Sequence, residues 1–243
     1  MDFPNVSILT PIFDRKVFLP LMLCNMKLIN YPKERLEWVI LDSWGRNGTI
    51  AKPLFENNDI INKVSKEIGI KIKYEYRKEA MEIGKKRNQL VKMSSNNIVI
   101  NYDSDDIYLP NYIQYSVGTL LKNKRQCVGS PQMLFIYPND NYKITYIQCK
   151  PLRLIHEATM CHTKKHWKRM GGYGNSSQGE GSKMIDGCKE ALFEKTDIRQ
   201  IMVCVCGDHN TINKEQFNTN ENEMKDCDLS FLPQIDILKT IFT

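Results

Sequence analysis

The stretch of sequence that decides the fold is Asn96–Asp106, which reads NNIVINYDSDD. Its apolar run at residues 98–100 contains only β-branched side chains and predicts a buried strand. Three carboxylates, Asp103, Asp105 and Asp106, follow this run within four positions. In open α/β sheets, ligands bind at the carboxyl ends of the strands. We therefore expect these acids to lie in a binding site.

Aspartates this close together repel one another unless a cation neutralises them. Alternating oxygen ligands at the end of a strand suit Mg²⁺ or Mn²⁺, and such an ion then binds the phosphates of a substrate. An acidic, solvated turn before Pro110 is the alternative interpretation. The DxD pattern, Asp103-Ser104-Asp105, does not by itself distinguish a metal site from a solvated turn. The other segments of the chain must decide between them.

Length and composition indicate one ordinary globular domain. The 243 residues can bury a good core, and the hydrophobic content is 42%. No stretch approaches the ~18 apolar residues of a transmembrane helix, and residues 1–4 show no signal-peptide pattern. The eight cysteines include no CxxC pair, which favours reduced thiols over a zinc site. We expect a cytoplasmic protein with no integral membrane segment.

The basic residues do not indicate a nucleic-acid partner. The net charge is +6, but the lysines are spread along the chain, whereas a nucleic-acid binder usually carries a dense basic stripe. The densest basic run, residues 164–169, is short enough to be the solvated face of one helix. His162 and His166 have the i,i+4 spacing of a helix, but Thr163 breaks the metalloprotease pattern. A cationic surface also suits an anionic small-molecule donor.

Strands and helices alternate along the first half of the chain, which implies βαβ units and a mostly parallel sheet. The predicted strands are 6–12, 36–41, 70–76 and 98–102, and the predicted helices are 16–30, 80–93 and 111–121. The second half is less regular. It predicts strands at 127–137 and 142–149, a loop at 171–187, a mobile polar segment at 207–228 and a closing helix at 232–242.

Taken together, these segments resemble a family-2 glycosyltransferase of the GT-A fold over about the first 210 residues. The matching motifs are VSILTPIFDR (6–15), WVILDSWG (38–45), IGKKRNQLV (83–91), VINYDSDDIYLPNY (99–112), ATMCHTKKHWKRMGGYG (158–174), QGEGSKM (178–184) and GDHNT (207–211). The resemblance implies an α/β, Rossmann-like, mostly parallel sheet flanked by helices, with a smaller antiparallel acceptor-side part. It further implies a nucleotide-binding half at 1–106, an acceptor-side half at 107–210 and a flexible segment with a helix at 211–243.

The resemblance also implies which residues contact the nucleotide donor. They are Pro11, Asp14, Arg15, Asp42, Gly84, Arg87, Asn88, Asp103 and Ser104. The family usually has two acids after the second strand, whereas Ser43 follows Asp42 here. We expect Arg87 to bind a phosphate through its fork geometry. The neighbouring lysines at 85 and 86 leave an alternative open, in which Arg87 lies on a solvated face of the helix.

The resemblance implies that Asp105 and His209 bind Mn²⁺ or Mg²⁺, and that Glu180 is the general base. The usual Glu-Asp pair is absent, because Gly181 follows Glu180. Each assignment has an alternative. His209 could be purely structural, Glu180 could be a surface acid in a Gly/Ser loop, and Asp106 could cap the turn that follows it.

We therefore expect a metal-dependent, inverting glycosyltransferase. It would move a sugar from a UDP-hexose or UDP-glucuronate to a hydroxyl of a glycan or protein acceptor, and it could form a homodimer. The motif series also resembles glycosyltransferases encoded by large DNA viruses, which would place the protein in the host cytoplasm or the virion.

Two other functional classes stay open. A metal-dependent nucleotidyl- or phosphoryl-transfer enzyme would use the same paired acids. It should show a Gly-rich phosphate loop after the first strand, and residues 13–19 contain none. A non-catalytic nucleotide-sugar-binding module would have the same fold but would catalyse no transfer.

Overall fold

The computed structural model describes residues 3–45, 48–149, 155–189, 192–210, 213–225 and 227–243. Some predictions fall partly outside these ranges. They concern residues 1 and 2 of the N-terminal stretch 1–4, and residues 211, 212 and 226 of the polar segment 207–228. The strands are β1 (Val6–Ile12), β2 (Leu36–Trp44), β3 (Lys71–Ala80), β4 (Ile98–Asn101), β5 (Ile107–Tyr108), β6 (Cys127–Gly129), β7 (Gln132–Tyr137), β8 (Lys143–Gln148), β9 (Cys161–Thr163), β10 (Phe193–Lys195) and β11 (Met202–Val205). The helices are α1 (Leu19–Leu28), α2 (Asn58–Ile68), α3 (Ile83–Met93), α4 (Tyr112–Lys122), α5 (Lys164–Met170) and α6 (Ile235–Ile241).

The main sheet has the order β10-β6-β9-β4-β1-β2-β3 in the described part of the chain. Strand β1 is parallel to β2 and β4, and β2 is parallel to β3. Strand β9 is antiparallel to both β4 and β6. The expected α/β fold with a mostly parallel sheet flanked by helices is confirmed.

The two faces of the sheet bury different side chains, because neighbouring residues of a strand point to opposite sides. Ile8 of β1 and Trp38 of β2 lie in one apolar cluster with Met22 of α1. Leu9 of β1 lies in a second cluster with Leu90 of α3. Helices therefore cover both faces, and the ligand-binding edge lies where β1 and β4 end.

A second, smaller sheet has the order β5-β11-β7-β8. The prediction of one strand over residues 127–137 is wrong, because the chain leaves the main sheet at Ser130–Pro131. Pro131 has no N–H to donate to a sheet ladder. The Ser130 hydroxyl accepts a hydrogen bond from the Gln132 N–H at 3.1 Å, which turns the chain. Strand β6 thus belongs to the main sheet and β7 to the small sheet.

His162 and His166 do not share a helix, although their spacing is that of a helix. His162 lies on β9 and His166 on α5, and both are buried. The basic run forms α5 as predicted, with Lys165, Lys168 and Arg169 exposed.

The C-terminal part of the chain packs on the small sheet and on the first helix. The Met224 N–H donates to the Ile144 carbonyl at 2.9 Å, and the Phe217 ring stacks on Phe135 at 5.2 Å. The closing helix α6 forms as predicted and contacts α1. No helix in the described ranges combines the length and apolar content that crossing a bilayer requires.

Candidate functional site

A cleft of about 590 Å³ opens where β1 and β4 end, as expected for an open α/β sheet. Its wall includes most of the residues that the sequence singled out. They are Pro11, Arg15, Arg87, Asp103, Ser104, Asp105, Glu180 and His209. The cleft therefore brings the DxD segment together with the loop after β1 and with helix α3. It also includes the loops that carry Glu180 and His209.

Arg87 of α3 joins two carboxylates at the floor of the cleft. Its Nη1 lies 3.0 Å from Asp103 Oδ1, and its Nη2 donates to Asp103 Oδ2 at 3.0 Å. Its Nε donates to Glu180 Oε1 at 2.9 Å. Burial alone would lower the pKa of Arg87, but the two carboxylates raise it well above its ordinary value.

This arrangement corrects the expectations for two residues. Arg87 is only 2% exposed, so the interpretation as a solvated helix face is wrong. Its guanidinium contacts two carboxylates, and its contact with a donor phosphate stays a prediction. Glu180 is 5% exposed, so it is not a surface acid.

Asp105 and His209 form the second polar centre of the cleft. The distance from Asp105 Oδ2 to His209 Nε2 is 3.7 Å. Arg15 holds both residues, because its Nε lies 3.3 Å from Asp105 Oδ2 and its Nη2 donates to the His209 carbonyl at 2.7 Å. The His209 ring packs against Phe18 and Phe242, with centroid distances of 4.6 and 5.8 Å.

Asp105 and His209 fit a divalent ion. Burial lowers the pKa of His209, although Asp105 opposes the shift. The buried His209 Nε2 has no hydrogen-bond partner among the described residues. A neutral imidazole nitrogen beside a carboxylate is a donor pair that Mn²⁺ accepts. No three His, Cys, Asp or Glu side chains form a metal cluster in the described ranges. Water and phosphate oxygens would therefore supply the other ligands.

Asp106 has a different role from its two neighbours. Its Oδ1 accepts from the Val205 N–H at 3.0 Å, and its carbonyl accepts from Asn25 Nδ2 at 2.9 Å. Burial raises the pKa of Asp106 to about 7, with Lys214 opposing and Asp105 adding to the shift. The suggested cap of the following turn is therefore wrong, because this side chain fastens β11 to the DxD loop.

Gly84 and Asn88 do not line the cleft, and their contact with the nucleotide stays a prediction. The Gly84 N–H donates to the Ser176 carbonyl at 2.8 Å. Asn88 Oδ1 accepts from Trp167 Nε1 and from the Tyr173 N–H, both at 2.8 Å. These two residues fix the loop that carries Glu180 against α3.

Asp14 and Asp42 also lie outside the wall of the cleft. Asp14 is exposed and has a φ of +49°, a conformation that Asp tolerates better than most residues. It shapes the turn before Arg15, and its expected nucleotide contact stays a prediction. Asp42 is fully buried, and its Oδ2 accepts from the Leu54 N–H at 2.8 Å and the Tyr74 hydroxyl at 2.9 Å. Asp42 Oδ1 has no partner among the described residues, so its contact with a base or ribose stays a prediction.

Two lysines in the wall were missed by the sequence interpretation. Lys86 is 2% exposed, and its Nζ donates to the Ile12 carbonyl and lies 5.9 Å from the Phe13 ring centroid. Burial lowers the pKa of Lys86 to about 8. Lys214 reaches the cleft from the polar C-terminal segment and contacts Cys204 Sγ. Burial opposes its charge, but Cys204, Asp106 and Asp105 raise the pKa of Lys214 overall.

His156 and Glu157 are further wall residues that no motif indicated. His156 Nδ1 accepts from the Ala158 N–H at 3.2 Å, and burial lowers the pKa of His156 to about 4. Glu157 Oε1 accepts from the Gly181 N–H at 3.2 Å. The wall beside Glu180 therefore contains a second carboxylate.

The family model described as Glycosyl transferase family 2 matches residues 7–201. The chain belongs to this family. No match was found among curated proteins. The matched range of this family-2 glycosyltransferase covers the main sheet, the DxD loop and the loop with Glu180.

Solved structures share the fold of this chain at low identity. The mannosyltransferase PcManGT from Pyrobaculum calidifontis, in complex with GDP-Man and Mn²⁺, is 15% identical with a TM-score of 0.62. The alignment covers 89% of this chain and 59% of that one. TarS 1–349 from S. aureus, in complex with UDP-GlcNAc, is 12% identical with a TM-score of 0.61, over 85% of this chain and 60% of that one. The chain thus spans about 60% of the length of these structures.

Proposed function

We propose that this glycosyltransferase moves a sugar from a nucleotide diphosphate sugar to a hydroxyl group of a glycan or protein. A UDP-hexose or UDP-glucuronate is the proposed donor, Mn²⁺ or Mg²⁺ the proposed cofactor, and inversion at the anomeric carbon the proposed outcome. The observation that carries the proposal is the Asp105–His209 pair, 3.7 Å apart in the same cleft as a pair of glutamates.

The donor would lie along the basic side of the cleft. Arg15 and the buried Lys86 lie at the end of β1, and Lys214 of the C-terminal segment lines the same cleft. Their positive charges suit a diphosphate. Asp105 and His209 would hold a divalent ion, which would stabilise the departing diphosphate as a Lewis acid. The neighbours with GDP-Man and with UDP-GlcNAc support the choice of a nucleotide sugar.

The acceptor would lie beside Glu180 and Glu157. These carboxylates line the same cleft, together with the loop at residues 177–180. An acceptor hydroxyl must lose its proton as it attacks the sugar, which requires a general base within hydrogen-bond reach. Attack from the face opposite the diphosphate in a single displacement inverts the anomeric carbon.

The proposal is tested by nucleotide release from a panel of UDP- and GDP-sugars, with a panel of p-nitrophenyl glycosides as acceptors. We expect turnover with Mn²⁺ or Mg²⁺ and loss of turnover in EDTA. The Asp105→Asn variant should lose turnover. The control variant Asp208→Asn, which changes an exposed neighbour of His209, should keep it. Turnover that is equal in metal and in chelator would contradict the metal-dependent mechanism.

A further inference from the structure

The two glutamates at the acceptor side differ in how their charges are compensated. Glu180 Oε1 lies 2.9 Å from Arg87 Nε, and the Arg87 fork also holds Asp103. The Glu180 carboxylate is thus engaged by a buried guanidinium, which leaves it less accessible to an acceptor hydroxyl. This contact argues against the expected role of Glu180 as the general base.

Glu157 lies in the same wall of the cleft, and its negative charge is less well compensated by neighbouring groups than that of Glu180. It is partly exposed to the cleft, and its Oε1 accepts from the Gly181 N–H at 3.2 Å. Among the described residues it forms no ion pair, whereas Glu180 does. The carboxylate also accepts from its own backbone N–H, and it lines the cleft, where it can meet an acceptor hydroxyl.

The absence of a side chain at Gly181 makes room for Glu157. A Cβ atom added to Gly181 would lie 2.4 Å from Glu157 Cγ and 3.2 Å from Glu157 Cδ. The Glu157 side chain thus occupies the volume that an acid at position 181 would fill. The position after Glu180 lacks the acid of a Glu-Asp pair, and a carboxylate from another segment stands in its place.

We propose that Glu157 is the general base of the transfer reaction, with Glu180 and Arg87 as positioning residues. This inference rests on the proposed function. The acceptor oxygen forms the bond to the anomeric carbon while its proton passes to the Glu157 carboxylate. The bond from that carbon to the diphosphate oxygen breaks, and its electron pair leaves with the diphosphate. The proton on Glu157 is then released to water.

The charges around Glu157 are consistent with this role. Burial first, and then Glu180, raise the pKa of Glu157 to about 7, while its own backbone N–H, Arg87 and the Gly181 N–H oppose the shift. The adjacent His156 has a pKa lowered to about 4 by burial and is neutral at pH 7. A base whose pKa lies near the working pH transfers protons most effectively. Because the base must be ionised, the transfer rate should rise with pH through about 7.

Three variants test the assignment: Glu157→Gln, Glu180→Gln and the control Glu194→Gln. Glu194 is a similarly half-buried glutamate on β10 that pairs with Arg125 outside the cleft. Calorimetry with UDP and Mn²⁺ measures donor-side binding, and mass spectrometry of p-nitrophenyl glycoside products measures transfer from pH 5.5 to 9. Thermal unfolding of each variant identifies any folding defect.

We expect Glu157→Gln to slow transfer by about 10²–10⁴-fold with unchanged UDP affinity and to remove the rise near pH 7. Glu180→Gln should keep that rise but move it to lower pH, because the Glu180 charge raises the pKa of Glu157. Glu194→Gln should behave as the wild type. A Glu157→Gln variant with near-normal transfer would overturn the assignment. If the wild type neither binds UDP nor transfers any sugar, the proposed function itself fails.

Discussion

Arg87 shows what the structure adds at the scale of single residues. From the sequence alone its Gly-x-x-x-Arg-Asn motif predicts a contact with the donor, and the structure adds that the side chain joins Asp103 and Glu180. The motif could place the residue beside the cleft. It could not distinguish a ligand contact from a contact that holds other site residues, because both require a cation at the same position.

Arg87→Ala should destabilise the protein by about 3–5 kcal/mol, because two carboxylates lose their partner in a buried site. Arg87→Lys should recover only part of this stability, since a single ammonium cannot reproduce the fork. Urea denaturation measures both variants, with the exposed neighbour variant Lys85→Ala as the control. A loss of UDP affinity with unchanged stability would restore Arg87 to the donor-binding role.

Lys86 leads to a prediction about pH. Its pKa is lowered to about 8 by burial, so the ammonium is largely charged at pH 7 and largely neutral at pH 9. If this charge assists the diphosphate, wild-type affinity for UDP should fall between these pH values. Lys86→Met should weaken binding at pH 7 and have a smaller effect at pH 9. Parallel pH curves for the wild type and the variant would show that Lys86 does not contact the donor.

At the scale of elements, the long strands with apolar or alternating patterns were predictable. Strand β1 was predicted with its observed bounds, and β4 to within a residue. The strands β5, β6, β9 and β10 have only two or three residues each, which is too short for a repeating pattern. Long-range pairing decides whether such segments form strands at all.

Some residues of the candidate site were likewise predictable from the sequence, and others were not. Residues at the ends of β1 and β4 could be predicted, because sheet topology brings those ends together. Glu157 and Lys214 could not, since tertiary packing brings them in from segments without a local pattern. Lys86 was missed because the side chains of a run of three basic residues, 85–87, point in different directions on a helix.

The contact between α3 and the loop with Glu180 should tolerate no added side chain. A Cβ on Gly84 would lie 1.7 Å from the Gly174 carbonyl oxygen, so Gly84→Ala must separate the helix from the loop. We expect a marked loss of stability and of transfer activity. Gly118→Ala on α4 is the matched control, because a Cβ there meets nothing within 4 Å. That change should stabilise the protein by about 0.5–1 kcal/mol through helix propensity. Equal Tm values for the two variants, measured by calorimetry, would contradict the close contact.

At the scale of the whole molecule, the cleft lies between the end of the main sheet and the small sheet. The loops after β1 and β4 supply Arg15 and Asp105, and the chain beyond β11 supplies His209 and Lys214. A site assembled from both ends of the chain depends on the C-terminal segment. The flexibility of residues 211–243, a homodimer, the cytoplasmic or virion location and the resemblance to glycosyltransferases of large DNA viruses stay predictions.

The central claim is that Asp105 and His209 hold a metal ion that binds the donor diphosphate. The most direct measurement is calorimetric titration of the protein with UDP, in Mn²⁺ and in EDTA, for the wild type and Asp105→Asn. The account predicts tighter binding in Mn²⁺ for the wild type, and loss of that difference in the variant with little change in Tm. Equal wild-type affinity in Mn²⁺ and in EDTA would contradict it.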